Sequence, residues 1–508
     1  MFSTTISGAL HGVEGILLQV EVDVSSGFPC LEMVGLLGSE VKEAKERVRA
    51  AIKNLGVTIP PKRILVNLSP ANVRKAGTAY DLPIAVGILK SLGVLPMDST
   101  ENMLLLGELG LDGAIKPVTG VFPILAAAKE QGIRRCIVAK ENVGETDFLE
   151  EISVYGCDSF GQLVEWLKDN SIKSEEAYKP VGTVSEISCS VPGFENIVGQ
   201  QSGKRAALIS AAGAHNLLFV GPPGTGKTML AKAMQTILPP LTKKEQIEVA
   251  AIQSAVGYKA EREPFTKGRP FIEVHHSATA HTLLGGGGIP KAGAMTLAHK
   301  GVLFLDELPE FKRTVLDAMR QPLEEKKITF IRNGIYYKFP ADVRLVAAMN
   351  PCPCGYYPDK NKCVCLPYQV RKYLSHVSGP ILDRIDVVAQ TVPMQSKNGK
   401  IGADKGQYSS EEMRTLVKKA EKMQKKRCGK WNGELSGQEI EGLVLLHTDA
   451  ENLLSKMEEK MDFSGRAYYG LLKVARTIAD LEESDRVEME HLAEAASYRN
   501  GFERYLHG

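Results

Sequence analysis

The chain has 508 residues, 44% of them hydrophobic and 24% charged, which at about 150 residues per domain is three or four globular domains with ample apolar surface for large cores. This composition excludes bulk disorder and a collagen-like repeat, and nine cysteines are too few for a disulfide-built chain of this size. The 62 Lys and Arg against 60 Asp and Glu leave a formal net charge of +2, which excludes a uniformly basic coat but not a nucleic-acid binder with a local basic patch.

Met1 to Gly8 carry neither a basic nor an apolar leader pattern. No run approaches the roughly 20 apolar residues that span a bilayer. The expectation is a cytoplasmic chain with reduced thiols and no membrane partner. Residues 1–168 alternate strand-like and helix-like segments. Ile16–Val24, Arg63–Leu68 and Arg135–Ala139 have strand character; Val41–Leu55, Asp81–Leu92 and Pro123–Gln131 have helical spacing. Residues 169–192 are polar and turn-forming and predict a linker. Strands and helices alternate again over 193–393, and Pro393–Ser410 predicts a second linker or loop. Beyond it the pattern is helical over Glu411–Lys426, Gly437–Leu446, Ala450–Met461, Gly465–Leu481 and Met489–Arg499. The predicted layout is therefore an α/β domain (1–168), a linker (169–192), an α/β core (193–393) and a helical C-terminal domain (394–508).

The chemistry gathers at the strand ends of the core. The apolar strand Leu217–Val220 runs into Gly221, Pro222, Pro223, Gly224, Thr225, Gly226, Lys227 and Thr228, with a helix predicted from Met229. This is a complete phosphate-binding loop between strand and helix. Its glycines let backbone N–H groups turn toward phosphate oxygens. Lys227 supplies charge to the β- and γ-phosphates of ATP, and Thr228 offers a hydroxyl to Mg²⁺. The buried-type strand Val302–Leu305 ends in Asp306, a Mg²⁺ anchor, and Glu307, which would polarise the attacking water. A third strand, Arg344–Met349, ends in Asn350, whose amide suits a place between γ-phosphate and water.

Two further features carry open readings. Asn333–Gly334 between β-rich arms predicts a hairpin. Its arms set Lys326, Lys327, Arg332 and Lys338 among Phe330, Tyr336 and Tyr337. Such a face could track DNA phosphates and stack on bases; it could equally be a packed hairpin with a solvated basic side. Cys352, Cys354, Cys363 and Cys365 form two Cys-x-Cys pairs eight residues apart. Four thiolates can close a structural Zn²⁺ site, with a redox switch or core thiols as the alternatives. Cys30, Cys136, Cys157, Cys189 and Cys428 read as ordinary thiols. The stretch between the loop and Asp306 holds Gly285–Gly288 and His275–His276, a flexible insert with surface histidines rather than a metal site.

The loop, the Asp–Glu pair and the strand-end Asn together resemble the AAA+ ATPases. That resemblance makes Arg384, in Ser378–Asp386, the counterpart of the arginine finger, which reaches a neighbouring subunit's nucleotide. It makes Arg466, in Ser464–Ala467, the counterpart of the second sensor, which couples nucleotide state to the lid. Over nearly the whole length the chain resembles the YifB/ComM family of magnesium-chelatase-like AAA+ proteins, through Asn67–Ala71, Asp81–Ala85, the loop, Ala298–Phe311, Met349–Gly355 and Ser378–Asp386. The resemblance implies a Lon-protease-like (S5-like) α/β domain, a P-loop αβα core and a helical lid. It also implies a hexameric ATP-driven ring acting on single-stranded or branched DNA, as in branch migration during recombination or transformation. The alternative is a chelatase-type or chaperone-like motor acting on a protein. Where Lon-type proteases carry a Ser–Lys dyad, this chain places Ala79 and Phe122, so the domain is expected to be inactive as a protease. Ile272 and Val274 stand where the family has Arg and Pro before its paired histidines.

Overall fold

The computed structural model describes residues 1–147, 149–169, 177–178, 191–257, 268–393, 408–460 and 464–499. The linker expected over 169–192, with Cys189, lies almost entirely outside these residues, as does the loop expected over 393–410.

The N-terminal region is built on a seven-stranded mixed sheet in the order β3-β4-β2-β1-β5-β8-β9. Its strands are β1 (Phe2–His11), β2 (Glu14–Ser25), β3 (Cys30–Val34), β4 (Arg63–Ser69), β5 (Met103–Leu105), β8 (Arg135–Ala139) and β9 (Ser153–Cys157). A separate small pair, β6 (Glu108–Leu109) and β7 (Ile115–Lys116), lies between β5 and β8 in the chain. Period-two burial makes β2: Leu18, Val20, Val22 and Val24 face inward while their neighbours do not. β4 alternates in the same way, so it is half-buried rather than fully enclosed. The helix Ser39–Asn54 buries Val41, Ala44, Val48, Ala51 and Ile52, one stripe at helical spacing. The helix Asp81–Ser91 is buried on every side, as its apolar run Leu82–Leu89 demands. It lies on β1, where Ser3 Oγ donates to the carbonyl of Gly87 at 2.7 Å and Thr5 Oγ1 to that of Pro83 at 3.0 Å.

The second sheet has five parallel strands in the order β11-β14-β17-β10-β18. These are β10 (Leu217–Val220), β11 (Phe271–Val274), β14 (Val302–Leu305), β17 (Arg344–Met349) and β18 (Val387–Gln390). Two hairpins stand beside the sheet: β12 (Gly285–Gly286) with β13 (Lys291–Ala292), and β15 (Lys327–Arg332) with β16 (Ile335–Pro340). β10, β14 and β17 are buried along their whole length, the signature of a sheet covered on both faces. Alternate residues feed opposite cores. Leu217, Phe219, Val302 and Phe304 point to one, and Leu218, Val220, Leu303 and Leu305 to the other.

The C-terminal region is helical over Ser410–Cys428, Gly437–Leu443, Thr448–Lys460, Gly465–Leu481 and Met489–Arg499. Its apolar side chains do not close a separate core. Met413, Val417, Leu471, Val474, Ile478 and Leu492 pack in the same cluster as Leu217, Phe219 and the helix Gln201–Gly213. The helix from Gly437 stops at Leu443, short of the expected Leu446. Val444 turns extended, and Leu446 makes an isolated bridge to Val487 instead.

Candidate functional site

Three parallel strands deliver their C-terminal ends to one place, the usual position of a ligand site in an open α/β sheet. β10 runs into the loop 221–228. Gly221 sits so close to Thr391 that a Cβ would lie 2.1 Å from its hydroxyl, so only glycine fits. Gly224 and Gly226 take left-handed conformations at φ 74° and 83°, which glycine adopts without steric cost. The helix begins at Lys227, two residues earlier than expected, because left-handed Gly226 is its N-cap. Thr225 is buried, its hydroxyl 2.7 Å from that of Thr391.

β14 and β17 bring the remaining groups. Thr228 Oγ1 donates to Asp306 Oδ2 at 2.7 Å, which puts a hydroxyl and a carboxylate side by side, an oxygen donor set suited to Mg²⁺. Lys227 Nζ donates to the carbonyls of Gly221 and Pro222, both at 2.8 Å, and to Asn350 Oδ1 at 3.1 Å. Burial lowers the Lys227 pKa, opposed by the charges of Asp306 and Glu307. Glu307 adopts a left-handed backbone, φ 54°, costly for a residue with a side chain and concentrated at functional sites. The sequence points neither to Thr391 nor to a place for the paired histidines at this site. His276 Nδ1 lies 2.9 Å from Glu307 Oε2, so the paired histidines are not merely a surface feature of the insert. Ile272 and Val274, where the resemblance puts Arg and Pro, belong to β11, and Val274 is buried against the sheet core.

Arg384 and Arg466 converge, but not on the loop. Arg384 Nη2 donates to Glu324 Oε2 at 2.7 Å and its Nη1 to the carbonyl of Pro380 at 2.6 Å. Arg466 Nη2 donates to Glu324 Oε1 at 2.5 Å. One carboxylate thus holds both guanidiniums. Partial desolvation would raise its pKa, but Arg466 and Arg384 outweigh this and hold it below the usual range. Among the described residues, neither arginine bonds the loop, Asp306, Glu307 or Asn350.

The cysteine tetrad follows Asn350 directly. Cys352 and Cys354 Sγ are 3.4 Å apart, Cys352 and Cys363 3.8 Å, and Cys354 and Cys363 3.6 Å. All four sulfurs, including that of Cys365, lie within 4.8 Å of one another. Four sulfurs at about 2.3 Å from a shared Zn²⁺ would be about 3.8 Å apart, so the donor set is compatible with that ion. Backbone N–H groups of Gly355 and Tyr357 point at Cys352 Sγ at 3.2 and 3.4 Å, which suits a thiolate. Gly355 abuts Pro223 of the 221–228 loop, where a Cβ would come within 2.6 Å of its ring.

The β15–β16 hairpin turns at Asn333 and Gly334, both at positive φ, the two-residue geometry that matches strand twist. Lys327, Arg332 and Lys338 are exposed. Lys326 is exposed as well but differs from them in its partners. It lies between Asp342 Oδ1 at 3.1 Å and Glu434 Oε1 at 2.7 Å; burial would lower its pKa, but these two carboxylates raise it. Tyr337 is withdrawn from solvent, stacked on His11 at the end of β1 at 4.5 Å. His11 Nε2 donates to the carbonyl of Tyr336 at 2.8 Å. Of the two tyrosines, Tyr336 is the one left open, 60% exposed. Among the described residues no helix is long and apolar enough to cross a membrane.

Comparison with known proteins places these features in context. The family described as magnesium chelatase, subunit ChlI, matches residues 193–399; subunit ChlI of Mg-chelatase matches 20–142, and its C-terminal region matches 407–499. The chain is 41% identical over 498 residues to competence protein ComM of Haemophilus influenzae, covering 97% of this chain and 96% of that protein. It is 41% identical over 491 residues to YifB of Escherichia coli, covering 97% and 96%. A shorter likeness, 31% over 188 residues, links 32% of the chain to 33% of Lon protease 2 of Bacillus subtilis.

Proposed function

The chain belongs to the YifB/ComM family of magnesium-chelatase-like AAA+ proteins, and from that premise we propose that it is an ATP-hydrolysing motor that remodels DNA as a hexameric ring. The observation that carries the reading is the meeting of Thr228 with Asp306 and of Lys227 with Asn350 around one glycine-rich loop. Mg²⁺, held through Thr228 and Asp306, would neutralise charge on the β- and γ-phosphates. Lys227 exchanges its loop carbonyls for phosphate oxygens. Glu307 takes the proton of the attacking water as its oxygen bonds to the γ-phosphorus and the bond to the β–γ bridging oxygen breaks, leaving ADP. Asn350 orients that water. Arg384 and Arg466 share one carboxylate and bond nothing in the 221–228 loop, which fits delivery of Arg384 to a neighbouring subunit's nucleotide, with Arg466 coupling nucleotide state to the lid. The tetrad Cys352, Cys354, Cys363 and Cys365 holds a structural Zn²⁺ that stiffens the segment after Asn350; metal analysis of protein purified without chelator should then return about one Zn²⁺ per chain.

DNA as the substrate rests on the exposed Lys327, Arg332, Lys338 and Tyr336 of the hairpin and on the relative named for competence. A cytoplasmic location and a protease-inactive N-terminal domain follow from the same reading. A protein substrate is the second reading, favoured by Ile331 and Tyr336, which expose apolar surface at the hairpin tip. Turnover measured without DNA and with single-stranded or forked DNA decides between them. Stimulation by DNA is expected; DNA that neither binds nor stimulates leaves the protein-remodelling reading.

A further inference from the structure

The histidine pair has no part in the steps above, yet the sheet brings it to the reacting end. β11 and β14 run parallel with Val274 level with Leu305, so the residues beyond each strand continue side by side. His275 and His276 lie beside Asp306 and Glu307. His276 Nδ1 is 2.9 Å from Glu307 Oε2, and the ring is constrained from its other side. It packs on His275 with centroids 4.0 Å apart, and His275 Nδ1 in turn accepts the backbone N–H of Ser277 at 3.3 Å. Glu307 is fixed at its backbone: its N–H donates to Asp306 Oδ1 at 2.9 Å, and the chain turns at once into a short 3₁₀ helix at Leu308–Glu310. The side chain beyond that anchor has three rotatable bonds and is about half exposed. Left alone it would sample many rotamers and lose entropy each time it met a water.

We propose that His276 is a positioning residue for Glu307. Its Nδ1–H donates to Oε2 and holds the carboxylate in one orientation, which leaves Oε1 to take the proton of the attacking water. The inference rests on the reading of Glu307 as the group that receives that proton. The His276 ring meets the carboxylate of Glu307, not Lys227, Thr228 or Asp306, so its contribution falls on the chemical step and not on binding.

The test uses the full chain and steady-state ATP turnover. His276→Ala should lower kcat by roughly 10- to 100-fold, the usual scale for a misplaced reacting group, while KM and the affinity for a non-hydrolysable ATP analogue stay unchanged. His276→Asn places an amide N–H near the position of Nδ1 and should restore most of the rate; His276→Leu should not. In a Glu307→Gln background, His276→Ala should cause no further loss, because the two act as one unit. Unchanged kcat in His276→Ala overturns the proposal. So does Asn behaving like Leu, or analogue affinity falling in step with kcat, since either outcome means a merely structural histidine. Full turnover in Glu307→Gln alone is a different result: it removes the assignment of Glu307 itself.

Discussion

The two sheets of this molecule use the same material in opposite ways. In the five-stranded sheet, apolar strands end abruptly in polar residues: Val220 gives way to the glycine loop, Leu305 to Asp306 and Met349 to Asn350. In the N-terminal region the positions to compare lie at the starts of two helices, and they are closed. Ala79 and Phe122, where the Lon-like resemblance would set a nucleophile and its base, are 8% and 0% exposed. They pack in one apolar cluster with Leu104, Leu106, Val118 and Val121. One region leaves half-exposed Glu307, with its left-handed backbone, at a strand end; the other packs its two positions away from solvent. Strained, exposed polar groups cost stability, and packed apolar ones supply it.

That contrast can be broken first in the N-terminal region. Phe122→Lys would bury an ammonium and leave a cavity where a ring now sits. The expected loss is about 4 kcal/mol or more, read as a lower denaturant midpoint for the whole chain, with no peptidase activity gained alongside Ala79→Ser. Undiminished stability would show that the filled site is only loosely packed. The same experiment on the other sheet should run the opposite way. Glu307→Gln should keep nucleotide binding and folding but lower turnover by roughly 10²- to 10³-fold. Unchanged turnover would remove Glu307 from the chemistry.

How much of this could be read from the sequence follows from how local each feature is. The glycine turns of 221–228, the strand ends at Asp306 and Asn350 and the Asn333–Gly334 turn are set by neighbours in sequence, and the strand ends and the turn stand where the sequence predicts. What could not be read depends on register or on distant partners. The His276–Glu307 contact exists only because β11 pairs with β14 at one register. Glu324 joins Arg384 to Arg466 across three separate segments, and nothing in the helix Arg320–Glu325 marks it. Lys326 looks like its hairpin neighbours in sequence, yet Asp342 and Glu434 fold back onto it. Tyr337 looks like Tyr336 until period-two alternation turns it toward His11.

The basic residues therefore divide into Lys326, held by two carboxylates, and three that are not so held, and salt separates them. A basic side chain that meets a phosphate releases a counterion, worth about 0.7 in the slope of log affinity against log salt for single strands. Replacing Lys327, Arg332 and Lys338 together by Ala should lower that slope by about 2. Lys326→Ala should leave the slope alone and reduce thermal stability instead. A slope change in Lys326→Ala equal to that of a neighbour would mean the hairpin base opens on binding.

The smallest effect concerns the carboxylate beneath that base. Asp342 receives Lys300 at 2.7 Å and Lys326 at 3.1 Å. Desolvation raises its pKa, but the two ammonium groups outweigh that and hold it below the ordinary carboxylate value. The unfolded chain therefore binds this proton more readily than the folded one. The ion pairs contribute their full stability above the unfolded value of about 4, and the contribution fades as the pH falls through the lower folded value. Asp342→Asn should cost about 1–2 kcal/mol near neutrality, the range for a partly buried pair, and the two melting curves should draw together between about pH 5 and pH 3. Curves that stay parallel across that interval would show that Asp342 acts through its shape and backbone rather than its charge. The hairpin base would then be held by Glu434 alone, and Glu434→Gln would become the variant that loosens it.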